Sequence, residues 1–309
     1  MKFYLKLLLV VSMLFNVKLA IAHDKVKEGF PHVVVSIKPL HAWVSAVMEG
    51  VGKPYLLLKN SDSVHSYSLK PSDATELSKS DIVFITDKHM EVYLQRPMAN
   101  LAFKAKIVEL SKAPGVNLLP AREGGLFEAH GSKSGKKSYN FHFWLDPENA
   151  IAATKYIADA LSSIDKKHAD QYHKNAENYI VKLRKEIVDT AIRLKGYKDI
   201  NFIVFHDAYY YYEKRFGISA LGSVTINPEH QPGAKRIELI RNKVKTLKAA
   251  CIFTEPQFSP AIIKSIIEGT KAKEGTLDPI GADLPEGADS YLKLIDNVTT
   301  SLISCGKSK

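Results

Sequence analysis

The stretch "KKHADQYHKNAENYIVKLRKEIVDTAIRLK", residues 166–195, decides the fold of this 309-residue chain. It contains no Gly or Pro, and its apolar residues recur at steps of three and four, which predicts one long amphipathic helix. Thirty residues of α-helix extend about 45 Å at ~1.5 Å per residue. The heptad of a coiled coil is not sustained, so we interpret the stretch as a rigid rod that joins two halves of the chain.

Short runs rich in Val, Ile and Phe alternate with helical patterns on both sides of this rod. They occupy residues 32–37, 55–58, 81–86 and 106–110 before it, and 201–205, 220–226, 251–255 and 275–277 after it. Near-continuous apolar strands separated by helices are typical of parallel sheets covered on both faces. We therefore predict an α/β fold with two lobes, each holding a mostly parallel sheet flanked by helices. The expected division is an N-terminal lobe over residues 23–164, a bridging helix over 165–197 and a C-terminal lobe over 198–309.

The first 22 residues have the pattern of a signal peptide. Lys2 and Lys6 precede a short apolar core, and Ala20-Ile-Ala22 is the small-x-small pattern that signal peptidase cuts. The apolar core is much shorter than the ~20 residues that a membrane span needs. We expect cleavage after Ala22 and export to the periplasm.

Charge and cysteine content narrow the function classes. The formal charge of +10 falls to +7 without the signal peptide, and the lysines are scattered among acids, so no nucleic-acid surface is expected. Cys251 and Cys305 are the two cysteines, and an even, sparse pair in an exported protein favours one disulfide. Two free buried thiols are the weaker alternative.

The segment at residues 119–140 is rich in Gly, Ser and Lys and has few apolar residues. This composition predicts a mobile loop.

Four side chains stand out as candidate metal ligands. His65, His142 and His206 lie at or just beyond the ends of apolar runs, and Asp278 follows the run at 275–277. The carboxyl ends of parallel strands form the edge where ligands bind. Singly, each such residue is more often structural; together, three imidazoles and one carboxylate suit tetrahedral Zn²⁺. The other eight histidines are expected at the surface.

Signatures of common enzymes are absent from the sequence, so no enzymatic activity is expected. A zinc hydrolase would need a general base near the metal, and Glu255 in "FTEPQF" is the acid that would serve. A structural carboxylate that lines the cleft is the preferred interpretation of Glu255.

Six segments, in this order, resemble one known family: "SIKPLHAWVSAVMEGVG", "HSYSLKPSDA", "FHFWLDPENA", "FHDAYYYYEKRFG", "FTEPQF" and "GTLDPIGAD". They look like the zinc-uptake substrate-binding proteins of bacterial ABC transporters, the ZnuA type, from about residue 32 to the C-terminus. The resemblance implies two α/β lobes bridged by a long helix, with a metal held in the cleft. It also implies delivery of Zn²⁺ to a membrane permease that works with an ATPase.

The same resemblance assigns residues. His65, His142 and His206 match the three metal-binding histidines of the family, and Asp278 matches the aspartate that completes the site in many relatives. The pair Cys251 and Cys305 matches a disulfide of the zinc branch. Manganese-binding relatives carry Glu at the third position, so His206 favours zinc. A manganese or iron carrier and a zinc-dependent adhesin are the alternatives.

Two positions depart from the family pattern. Val64 stands where zinc-branch members often carry a carboxylate, which leaves Asp278 or a water as the fourth ligand. The family's loop rich in His and Asp falls at about 120–140, where only His130 remains. A role of this loop in collecting zinc is therefore not expected.

Overall fold

A computed structural model of the chain describes residues 29–59, 62–122, 125–127, 138–225, 228–229 and 232–307. The predicted signal peptide and its cleavage site lie outside these residues, as do residues 128–137 of the predicted mobile loop. In the part of the chain that is described, no helix has the length and apolar character needed to cross a membrane.

The N-terminal half forms a four-stranded parallel sheet with the strand order β2-β1-β3-β4. Its strands are β1 (Val33–Val35), β2 (Tyr55–Leu56), β3 (Ile82–Ile85) and β4 (Lys106–Glu109). Its helices are α1 (Lys38–Val47), α2 (Pro71–Lys79), α3 (Val92–Leu101) and α4 (Pro147–Ile164). β1 and β3 are buried throughout, as the continuous apolar runs predict.

The long helix is α5 (Ala169–Leu194), a single helix of 26 residues preceded by a short 3₁₀ turn at Lys166–His168. At ~1.5 Å per residue it extends about 39 Å. It lies along α4 and α1, and its buried stripe includes Tyr172, Tyr179 and Leu183. The predicted rod is confirmed, although the helix begins and ends slightly inside the predicted range.

The C-terminal half forms a three-stranded parallel sheet with the order β5-β6-β7. Its strands are β5 (Phe202–Ile203), β6 (Cys251–Thr254) and β7 (Lys273–Thr276), and its helices are α6 (Tyr210–Phe216), α7 (Ala234–Thr246), α8 (Ala261–Ile267) and α9 (Asp289–Gly306). The strand predicted at 220–226 is reduced to one parallel bridge between Val204 and Ser223. The segment still lies along β5: the backbone N–H groups of Leu221 and Val224 donate to the carbonyls of Phe202 and Val204 at 2.8 and 2.9 Å.

The last helix connects the two halves. α9 packs against α1 and α5, and the ring centroids of Trp43 and Tyr291 lie 5.2 Å apart. The Tyr291 hydroxyl donates to the carbonyl of Trp144 at 2.6 Å. A disulfide between Cys251 and Cys305, with Cα atoms 5.9 Å apart, joins the start of β6 to the end of α9. The expected α/β fold is confirmed, and the disulfide is present. The boundaries between the lobes stay a prediction.

Candidate metal centre

Three imidazole rings from distant parts of the chain meet between the two sheets. The ring centroid of His65 lies 5.4 Å from the centroid of His142 and 5.4 Å from that of His206, and the centroids of His142 and His206 lie 4.9 Å apart. One nitrogen from each ring lies within 4.8 Å of the others. Within the described residues, this is the one group of three or more His, Cys, Asp or Glu side chains with that geometry. These nitrogens can therefore share a single ion.

His65 lies in a tight turn between β2 and α2. Asp73, in the first turn of α2, braces this turn: it accepts hydrogen bonds from the hydroxyls of Tyr55 and Tyr67 and from the backbone N–H of Lys70. The backbone N–H of His65 donates to Ser63 Oγ at 3.2 Å. The imidazole is presented from a braced loop, and its Nε2 is buried without a hydrogen-bond partner.

His142 precedes a 3₁₀ turn, Phe143–Leu145, instead of ending a strand. The expectation that it follows an apolar strand is wrong, because Phe143 and Trp144 are both fully buried and do not alternate between core and solvent. Asn140 Oδ1 accepts from the backbone N–H and from Nδ1 of His142, both at 2.9 Å. Because Nδ1 carries the proton, Nε2 offers its lone pair.

His206 lies beyond β5, where the carboxyl end of the sheet meets the first lobe. Its Nδ1 lies 2.8 and 2.7 Å from the two carboxylate oxygens of Glu255, which follows β6. Glu255 is 2% exposed. A carboxylate that accepts from one ring nitrogen orients the other nitrogen toward a metal and makes it more basic. Glu255 is thus placed to orient His206.

The Nε2 atoms of His142 and His206 face each other at 3.1 Å. With both Nδ1 atoms donating elsewhere, two lone pairs point into the same small space, which is unfavourable without a shared cation. Ligand nitrogens of a tetrahedral zinc ion lie about 3.3 Å apart when the Zn–N bonds are ~2.0–2.1 Å. The three nitrogen donors, and the spacing between His142 and His206, therefore fit Zn²⁺.

Burial keeps two of these imidazoles neutral. Desolvation, with a smaller contribution from His206, lowers the pKa of His65 to about 3. Desolvation, followed by the neighbouring His206 and His65, holds the pKa of His142 well below its ordinary value. Burial also raises the pKa of Glu255, and its contacts with His206 act in the opposite direction. Metal binding requires unprotonated nitrogens, which His65 and His142 supply at neutral pH.

Asp278 is not part of the histidine group. Its Oδ1 accepts from the backbone N–H groups of Ile280 and Gly281 at 3.0 Å and from Gln257 Nε2 at 3.0 Å, while Oδ2 accepts from the N–H of Ala282 at 2.5 Å. The carboxylate therefore holds the loop that follows β7. To bind a metal in the histidine site, Asp278 would have to give up part of this network.

An open cleft leads from solvent to the three histidines. It encloses about 540 Å³, and its lining includes His89, Arg122, Phe141 and Asp207. His89 is exposed and stacks on Phe141, with ring centroids 6.2 Å apart.

The expectation that His41 lies at the surface is wrong. Its side chain is 3% exposed, and its Nε2 lies 3.1 Å from the carbonyl oxygen of Pro54. The reason is that α1, which carries His41, is buried on nearly every side.

Sequence reasoning missed Asn140. Its position two residues before His142 is the spacing at which an asparagine side chain accepts from a backbone N–H, so a local signal was available. The Nδ2 group of Asn140 also donates to the carbonyl of Asp207 at 2.6 Å, which ties the His142 segment to the His206 segment. No local pattern predicts that second contact.

A two-lobed parallel α/β fold with a three-imidazole site between its sheets defines a metal-binding protein of the substrate-binding type. The family model ZnuA, described as the periplasmic component A of a zinc-uptake complex, matches residues 33–305. The chain belongs to this family.

Characterised relatives agree with this assignment. The chain is 45% identical to the high-affinity zinc uptake system protein ZnuA of Brucella abortus, over 90% of this chain and 92% of that protein. It is 34% identical to the protein of the same name from Yersinia pestis, over 89% and 91%. The solved structure of the laminin-binding protein Lmb of Streptococcus agalactiae, described as a bifunctional protein with adhesin and metal-transporting activity, aligns with a TM-score of 0.74 and 26% identity, over 91% of this chain and 100% of that one.

Proposed function

We propose that this protein captures Zn²⁺ between its lobes and delivers it to the membrane permease of an ABC transporter. His65, His142 and His206 are the ligands in this proposal, with Asp278 or a water at the fourth position. The observation that carries the proposal is the convergence of three imidazoles, two buried and one half-buried, whose free nitrogens point into one space. Membership of the zinc-uptake family supports zinc as the cargo.

The chain prepares the site before the ion arrives. Asn140 and Glu255 hold the ring orientations of His142 and His206, so little rotamer freedom is lost on binding. Val64, Trp144 and Ile280 form apolar walls around the histidines. These walls shield one side of the site from water. In this proposal, docking on a permease separates the ligands and speeds release of the ion.

The proposed cellular route starts with export. Cleavage of the signal peptide after Ala22 would leave the mature chain in the periplasm, where the permease and its ATPase partner would receive the metal. The disulfide between Cys251 and Cys305 supports an oxidising compartment. Glu255 serves as the orienting partner of His206 in this proposal and not as the base of a hydrolase.

The two alternatives considered from sequence, a manganese or iron carrier and a zinc-dependent adhesin, are less well supported. Three nitrogen donors favour zinc over manganese, which prefers oxygen ligands. The adhesin alternative rests on a structural relative at 26% identity, whereas the relative at 45% identity is named as a zinc uptake protein. Zinc uptake is therefore the function that the observations favour.

Calorimetric titration of the chelator-treated protein tests the proposal. We expect one zinc ion per chain, and a preference of at least about a hundredfold over Mn²⁺ at equal free concentrations, because the donors are nitrogens. Equal affinity for the two ions would contradict the assignment of zinc as cargo. A chain that binds neither ion would remove the proposal altogether.

Asn140→Leu should weaken zinc binding about 10- to 100-fold, the usual cost of losing a hydrogen-bond partner of a metal-binding histidine. Without Asn140, the His142 ring loses the acceptor that fixes its tautomer. Competition with a chelator of known affinity measures the change. Asn175→Leu is the matched control, because Asn175 is also buried and holds backbone carbonyls of Val47 and Glu49 far from the site. An unchanged zinc affinity in Asn140→Leu would count against the orienting role.

The metal-free protein should lose stability as the pH falls below about 6.5. The lowered pKa values of His65 and His142 mean that, from there down toward pH 3, the unfolded chain binds protons that the folded chain does not. Between pH 7 and 5, His65 should contribute about 2 kcal/mol of this loss, and His142 acts in the same direction. Chemical unfolding at several pH values measures it. The double variant His65→Gln/His142→Gln should show a clearly flatter pH dependence, and an equally steep one would contradict the assignment.

A further inference from the structure

Part of the segment predicted as a mobile loop instead crosses the cleft. We call residues 119–122 and 125–127 the strap. The backbone of residues 119–121 pairs with residues 138–140 of the N-terminal half. The side chains of Arg122 and Leu126, by contrast, contact the C-terminal half. Leu126 is 5% exposed and packs into the apolar cluster around Ile203, Phe205 and Val224. The carbonyl of Leu126 accepts from Arg236 Nη2 at 2.6 Å.

Arg122 is the charged anchor of the strap. Its Nε lies 3.0 Å from both carboxylate oxygens of Asp207, and its Nη1 donates to Glu213 Oε2 at 2.6 Å. The guanidinium carbon lies 3.8 Å from the ring centroid of Phe127 and 4.5 Å from that of Tyr210. The Arg122 side chain is only 13% exposed. Charge-assisted, two-pronged pairs in such partly buried positions are among the strongest polar contacts in proteins.

These contacts reach the metal site through the backbone. Asp207 directly follows His206, and its carbonyl accepts from Asn140 Nδ2, the same amide that orients His142. Arg122 therefore holds the side chain of Asp207, while Asn140 holds its main chain. The position of His206 relative to His142 depends on both contacts.

We propose that Arg122 is a positioning residue of the zinc site and that the docked strap sets how long zinc stays bound. The proposal rests on the zinc-binding function proposed above. With the strap docked, His206 is held against His142 and the strap covers one side of the cleft. With the strap undocked, His206 gains freedom and zinc leaves faster. Arg122 touches no metal ligand itself and acts through Asp207.

Three variants undock the strap by two independent routes, steric contact at Leu126 and altered pairing of Arg122. Gly222→Ala acts by steric contact, because a Cβ added at Gly222 would lie 2.1 Å from the Cβ of Leu126. Arg122→Lys keeps the charge but loses the two-pronged geometry. The pair Arg122→Gln/Glu213→Gln removes the cation together with the more deeply buried of its two carboxylate partners, and it leaves the partly exposed Asp207. Gly196→Ala, which meets no atom within 4 Å, and Arg193→Gln, whose partners lie on α9, are the controls.

The measurement is the rate at which a chelator in excess captures zinc from the loaded protein. We expect release at least about fivefold faster in all three strap variants and unchanged in both controls. Backbone amide exchange at residues 204–208 of the metal-free protein should rise in the same variants. If zinc release and amide exchange in the strap variants both equal those of the wild type, the proposal is overturned. That outcome would leave the proposed zinc-binding function intact. If the wild type bound no zinc, the proposed function would fail, but amide exchange would still decide whether Arg122 positions His206.

Discussion

His142→Ala should weaken zinc binding by several hundredfold. A structural zinc site contributes about 10–16 kcal/mol in all, so one of four ligands accounts for roughly 2.5–4 kcal/mol. The remaining nitrogens of His65 and His206 would still hold the ion, but with a gap on the side that His142 occupied. Chelator competition under identical buffer conditions gives the ratio of dissociation constants.

His89→Ala is the matched control for this experiment. His89 lines the same cleft but is exposed, and its ring stacks on Phe141 outside the histidine group. Its removal should change zinc affinity by less than about threefold. If His142→Ala and His89→Ala changed the zinc dissociation constant equally, zinc would bind the cleft without a specific set of ligands. The assignment of three specific ligands would then be wrong.

Loss of the disulfide should produce the largest change in stability. Cys251 and Cys305 are separated by 54 positions, and the loop-closure relation gives about 4 kcal/mol for a loop of that length. The double variant Cys251→Ala/Cys305→Ala should therefore unfold at a clearly lower guanidinium concentration. Its zinc affinity should change little. The disulfide lies at the start of β6, whereas Glu255, which contacts His206, lies beyond the other end of that strand.

Reduction of the wild-type protein provides an internal check. A thiol reductant should shift the unfolding of the wild type toward that of the double variant and leave the variant itself unaffected. If the oxidised protein and the double variant unfold at the same denaturant concentration, the disulfide does not stabilise the fold.

Much of the architecture follows from local patterns. The rod at α5 and seven of the eight predicted apolar runs correspond to a helix and to strands, because hydrophobic periodicity is a property of short segments. The expected strand at 220–226 and the strand before His142 are where this reasoning fails. The first segment is bonded to the short strand β5, and the second turns into the core, where Trp144 Nε1 donates to the carbonyl of Pro279 at 2.7 Å.

The sequence by itself determined the fold class, the single disulfide pair and the three histidines that stand out as candidate ligands, because residue type and spacing carry that information. Only the tertiary structure decided which ring nitrogens face one another, that Asn140 and Glu255 orient them, that Asp278 is held by its own loop, and that Arg122 reaches across the cleft. Each of these depends on the direction of a side chain after distant segments have packed together. Packing of this kind is a sum over many long-range contacts, and no short stretch of sequence contains it.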